Sequence, residues 1–94
     1  MIPARPSLDE FRRRLAEAGW HELSADEGSA FGSWSIELRW ALRVNYNGKG
    51  ERLELERETS RDNWRTVWIA EKGGDQTPDA LIEVLASITD GPPD

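Results

Sequence analysis

The chain contains one histidine, His21, and no cysteine. A structural zinc site needs about four ligands, and a hydrolytic triad needs a histidine beside its nucleophile, so His21 by itself supports neither. Gly48/Gly50 and Gly73/Gly74 match neither the dinucleotide-binding nor the P-loop fingerprint, and no serine lies in a nucleophile-elbow sequence. The carboxylates offer more. Glu54, Glu56 and Glu58 alternate, and on a strand they would share one face and could gather around a basic or sugar-like ligand. Paired carboxylates beside aromatics are how glycosidases are built. An open sheet face, however, has no deep cleft in which to shift a carboxyl pKa. Arginines are also interleaved among these acids at Arg39, Arg43, Arg52 and Arg57. The pattern reads as a solvated face laced with ion pairs. No enzymatic activity, metal or cofactor is expected.

Two further groupings could recognise a partner. Arg12-Arg13-Arg14 is a basic run, but three successive helical residues point in three directions, and acids stand four residues from two of them. It reads as a solvated helix. The five tryptophans are the informative excess. Trp20 follows the first helix and should pack against its end, and Trp34 and Trp40 fall on the buried parity of a strand. Trp64 and Trp68 are the anomaly. Held on the face of Glu54, Glu56 and Glu58, with Arg39 or Arg65 within reach, they have the composition of an interface hot spot.

Those side chains have to be positioned by ordinary elements. Ser7 followed by Glu10 is a capping box, and Leu8, Phe11, Leu15 and Ala18 form one helical stripe that Gly19 ends. Trp20–Leu23 could begin a strand, and Ser24–Ser29 reads as a loop. From Trp34 to Tyr46 every even position is apolar, which predicts one long strand with a bend near Leu38–Arg39. Asn47-Gly48-Lys49-Gly50 signals a hairpin. A register with Arg43 opposite Glu54 and Arg39 opposite Glu58 gives attractive cross-strand pairs and is preferred to one that opposes like charges.

A third strand, Arg52–Glu58, leads to a fourth, Trp64–Glu71. A three-residue loop Arg61–Asn63 between them sends Trp64 and Trp68 to the outer face and keeps Val67 and Ile69 in the core. A two-residue loop at Arg61-Asp62 would bury both tryptophans; the first is preferred. Thr77-Pro78-Asp79 starts a second helix, whose stripe is Leu81, Ile82, Val84, Leu85 and Ile88. The fold expected is one α+β domain spanning residues 1–94, with loose ends at 1–6 and 91–94. It is a two-layer sandwich of a four-stranded antiparallel meander with both helices on one face, in the order α-β-β-β-β-α.

At 94 residues, with a net charge of -6, the chain is large enough for a single small core and acidic enough to oppose non-specific binding to nucleic acid or anionic membrane. Ten of its twelve basic residues are arginine, a bias that fits a GC-rich genome; a bacterial or phage source is expected. Lack of cysteine and of an apolar leader suggests the cytoplasm. The leading expectation is a small acidic protein-binding module acting by occlusion: an inhibitor, antitoxin or immunity protein, anti-CRISPR-like protein, or adaptor. Its partner is expected to be a basic protein that docks on Trp64, Trp68, Glu54, Glu56, Glu58 and Arg39, with no direct nucleic-acid or membrane binding. The alternatives are a nucleic-acid mimic, a small-ligand or carbohydrate site on the tryptophan pair, and a homodimer through the same face.

Overall fold

A computed structural model describes residues 6–28 and 31–89. Helix α1 (Leu8–Glu17) begins with Ser7 Oγ accepting the Glu10 N–H at 3.4 Å. It ends in a Schellman motif: Gly19, at φ 93°, donates to Ala16 O at 3.0 Å, and Trp20 N–H reaches Leu15 O at 2.9 Å. Leu15 and Trp20 are both buried, supplying the apolar contact that accompanies this cap. The arginine run is taken up by acids. Arg12 makes a bidentate pair with Glu22 at 2.7 and 3.0 Å, Arg13 meets Glu17 at 3.0 Å, and Arg14 meets Asp79. The hydrogen bonds from Arg12 to Glu22, and then the Glu22 charge, raise the Arg12 pKa above its ordinary value. Asp9 and Glu10, four residues before Arg13 and Arg14, make no ion pair with them among the described residues, because both arginines turn toward other acids.

Five strands follow: β1 (Glu22–Glu27), β2 (Trp34–Leu38), β3 (Leu42–Asn47), β4 (Arg52–Ser60) and β5 (Asn63–Ala70). They form an antiparallel meander in chain order, and α2 (Pro78–Ile88) closes the fold. The α+β sandwich is as read from the sequence, but with five strands in place of four. Much of the segment expected to be a loop, Ser24–Ser29, belongs to β1. The long strand expected over Trp34–Tyr46 is a hairpin, β2 and β3, reversed by Arg39, Trp40 and Ala41. A three-residue reversal pairs Leu38 with Leu42, Ile36 with Val44 and Trp34 with Tyr46. Even positions therefore remain on one face across the turn, as they would along a straight strand. Trp40 is the casualty. Expected in the core, it sits in the turn at φ 70° and is 71% exposed.

The β3–β4 hairpin keeps the expected faces but shifts by two residues. Arg43 opposes Glu56 rather than Glu54, and Val44 opposes Leu55 on the buried face. The reversal is a four-residue turn, Gly48–Glu51, in which Asn47 Oδ1 accepts the N–H groups of Lys49 at 3.1 Å and Gly50 at 3.4 Å. This side-chain turn lengthens the loop and still leaves Arg43 opposite an acid. A Cβ at Gly48 would overlap the carbonyl of Phe31, so glycine is needed there for close approach of the preceding loop.

The core gathers Phe11 and Leu15 from α1, Leu81 and Leu85 from α2, and the inward rows of β2, β3 and β4, all nearly inaccessible. Phe11 and Tyr46 flank Trp34, with ring centroids 5.0 and 5.9 Å away. Trp34 Nε1–H donates to Pro6 O at 3.0 Å, so Pro6 is tied to the sheet. The rest of the ends expected to be loose, 1–5 and 91–94, lies outside the described residues.

Candidate functional site

The face of the sheet away from the helices carries the charged residues singled out in the sequence. Arg43 is its hub: the guanidinium Nε donates to Glu56 Oε1 at 2.9 Å while Cζ lies 4.2 Å from the centre of the Trp64 ring. Asn45 Nδ2 donates to the same Glu56 oxygen. Glu56 is only 15% exposed at its side chain, so its charge is held by two donors rather than offered to solvent. Glu54 has Arg52 at 3.6 Å, and Glu58 Oε2 accepts the Asp62 N–H at 3.0 Å, bracing the β4–β5 turn. Each acid thus has a partner already. Arg39 stands apart from this group. It is exposed in the β2–β3 turn, with its backbone N–H bonded to His21 O at 3.0 Å, and its expected position opposite Glu58 is not realised.

Trp64 and Trp68 are separated by the geometry of β5. The turn is the two-residue loop Arg61-Asp62, with Asp62 at φ 62° and Ser60 opposite Asn63. Glu58 pairs with Trp64, Arg57 with Arg65 and Glu56 with Thr66, but Leu55 pairs with Trp68. Val67 is the extra residue of a bulge that inverts the parity of the strand. Trp64 accordingly lies on the outer face under Arg43, whereas Trp68 lies half-buried on the core side. Each of the two hairpins weighed from the sequence placed one of the tryptophans correctly. Val67 and Ile69, expected in the core, are 39% and 44% exposed, with Ile69 opposite Glu54.

The exposed apolar residues at this edge are therefore Val67 and Ile69, beside the half-buried Trp64 and the acidic row of β4. β5 is the last strand in the sheet, so part of its backbone hydrogen-bonding capacity faces away from β4. An open groove of about 550 Å³ runs between the end of β5 and α2, lined by Trp68, Ala70, Ala80 and Val84 and rimmed by Glu71 and Glu83. At the opposite edge, the bulge residue Leu23 of β1 is 60% exposed.

Of the residues that sequence reasoning missed, Trp40, Val67 and Leu23 sit at a turn or bulge, and Ile69 is turned outward by the Val67 bulge. None is marked by glycine, proline or asparagine. No group of three or more potential metal ligands is assembled among the described residues, and no described helix is long and apolar enough to cross a membrane. No protein-family model, curated protein or solved structure matches the chain.

Proposed function

We propose that the chain is a small acidic protein-binding module that occludes a basic partner protein through edge strand β5 and the adjoining outer face. The supporting observation is the exposed pair Val67 and Ile69, with the half-buried Trp64 beside them, on an edge strand next to Glu54, Glu56 and Glu58. Aromatic and aliphatic anchors beside a charged rim are what protein interfaces use, the charges steering encounter and the anchors slowing release. In this reading Trp68 is a structural support that backs the strand from the core side. The inhibitor, antitoxin, immunity, anti-CRISPR-like and adaptor roles share this mechanism in a bacterial or phage cytoplasm. No direct contact with nucleic acid, membrane or cofactor is part of it.

The structure lends less to the alternatives. A phosphate mimic needs free carboxylates in a track, whereas Glu54, Glu56 and Glu58 are each engaged by a neighbour. A sugar platform on Trp64 and Trp68 needs both rings on one side. Capture from source-cell extract, followed by mass spectrometry, tests the proposal by comparing wild type with Trp64→Ser/Ile69→Ser after both are shown to melt cooperatively. A basic protein retained by wild type and lost by the variant is the expected result. Equal retention would move the interface off this face, and a dimer of the chain itself, dissociated by the same substitutions, would replace the partner with a second copy.

A further inference from the structure

The basic residues of this acidic protein are sorted by position. Arg12, Arg13, Arg14, Arg43, Arg52 and Lys72 each have an acidic partner within 4 Å. Arg39, Arg57, Arg61, Arg65 and Lys49 have none among the described residues, and all five are exposed. Lys49 lies in the β3–β4 turn, whereas the four arginines converge on the other end of the molecule. Arg57 and Arg65 are direct cross-strand neighbours, and Leu42, the first residue after the β2–β3 turn, pairs with Arg57 on its other side. Glu58 N–H donates to Ala41 O at 2.9 Å, which pins that turn, with Arg39 and Trp40, against the same stretch of β4. Arg61 occupies the adjacent β4–β5 turn.

Two features of this end work against the stability of the free chain. Like charges placed directly opposite on neighbouring strands repel, and Arg57 and Arg65 are so placed without a relieving acid. Trp40 and Ala41 also occupy the left-handed region in succession, at φ 70° and 59°, and they present a largely exposed indole beside the arginines. Uncompensated charge beside an exposed indole points to a ligand that supplies the opposite charge.

We propose that this end, formed by Arg39, Arg57, Arg65 and Trp40, binds an acidic segment of a partner protein. Its carboxylates would be held by the paired guanidiniums, and an apolar neighbour would lie against Trp40. Arginine forks match carboxylates in a bidentate manner. A nucleic-acid strand is the less suitable polyanion, since it has to continue beyond the patch. Here Glu58 and Asp62 border the arginines and the net charge is -6, so the next phosphates would be repelled. A discrete pair of carboxylates needs no such track. The site is separate from the outer-face reading, with its own residues and a ligand of opposite charge.

The test is an amide and indole NMR titration of the whole chain with hexaglutamate, run in parallel with the hexanucleotide (dT)6. Hexaglutamate should shift the Arg57, Arg65 and Trp40 side-chain resonances saturably. Arg57→Ser/Arg65→Ser should weaken binding by about tenfold or more, and 0.5 M NaCl should weaken it similarly. Arg65→Glu gives a second, independent reading. It creates an attractive pair with Arg57, so it should raise the melting midpoint by a few degrees while abolishing the shifts. Absence of saturable shifts, or shifts indifferent to these substitutions, would overturn the site. Tighter binding of (dT)6 would overturn the choice of ligand, and the same shifts on concentrating the protein alone would reassign the site to a second copy.

Discussion

The β2–β3 and β4–β5 hairpins meet the same requirement, reversing a chain within a sheet that has one buried face, in opposite ways. β2–β3 confines its irregularity to the turn, where Arg39, Trp40 and Ala41 take up the distortion and both strands pair without interruption. β4–β5 has a tight two-residue turn and places its irregularity within the strands, as register shifts at Thr59 and Val67. The first arrangement yields two fully regular inward rows and one exposed tryptophan at the tip. The second turns Trp68 inward and Ile69 outward on the same strand. Regular pairing builds the core. Turns and bulges decide which large side chains reach solvent, and both surfaces proposed above lie where pairing is irregular.

The largest test of this contrast is in the regular hairpin. Leu42 is almost wholly buried, and Leu42→Asp leaves an unpaired charge in a small core, so the cooperative thermal transition should be lost. A melt close to that of wild type would mean that the inward rows are misassigned. Gly48→Ala comes next. The new methyl meets the Phe31 carbonyl, and overpacking against backbone should cost about 3 kcal/mol in urea unfolding. An unchanged midpoint would show that the β1–β2 loop can retreat from the β3–β4 turn.

In the irregular hairpin the two tryptophans should separate. Trp68→Ser should cost about 2 kcal/mol, less than truncating a fully buried ring. Trp64→Ser, which loses a half-buried cation–π contact with Arg43 on the outer face, should cost about 1 kcal/mol. Equal costs would deny that the Val67 bulge divides them. Urea unfolding of both variants, monitored by circular dichroism, decides the matter.

How much of this was legible in the sequence follows from the same contrast. Periodicity reports the face a residue occupies, so the Trp34–Tyr46 alternation identified Ile36, Leu38, Val44 and Tyr46 correctly. It cannot report strand number, because an odd-length reversal preserves parity, and Arg39-Trp40-Ala41 has no turn-favouring residue. Charge complementarity placed Arg43 opposite an acid but not opposite the right one, since Glu54 and Glu56 are equivalent in charge. What separates them is the Asn47 side-chain turn, a local hydrogen-bonding choice. The Val67 bulge left no sequence signal at all, and the candidate site depended on it. Helix ends were the most legible, because Ser7, Gly19 and Thr77 act through contacts a few residues away.

The smallest expected effect concerns the connection that brings α2 back over the irregular hairpin. Gln76 Nε2 donates to Ala70 O at 2.9 Å and Glu51 O at 2.6 Å, tying this connection to the ends of β5 and β4. One residue before it, Asp75 Oδ1 accepts the Thr77 hydroxyl at 2.7 Å and the Thr77 N–H at 3.1 Å, while Thr77 Oγ1 caps the helix by accepting the Ala80 N–H at 3.2 Å. These bonds, the hydroxyl first, lower the Asp75 pKa from its ordinary value. A carboxyl whose pKa is depressed on folding contributes stability that is complete above the ordinary aspartate range. That contribution is lost as pH falls through the lower folded value. Acidification should therefore loosen the start of α2 while the regular hairpin stays closed, seen as faster hydrogen exchange at residues 77–81 than in β2 and β3. Asp75→Asn has no carboxyl to titrate and should flatten that part of the acid response. An identical pH profile in the variant would show that the cap at Thr77 does not depend on the Asp75 charge.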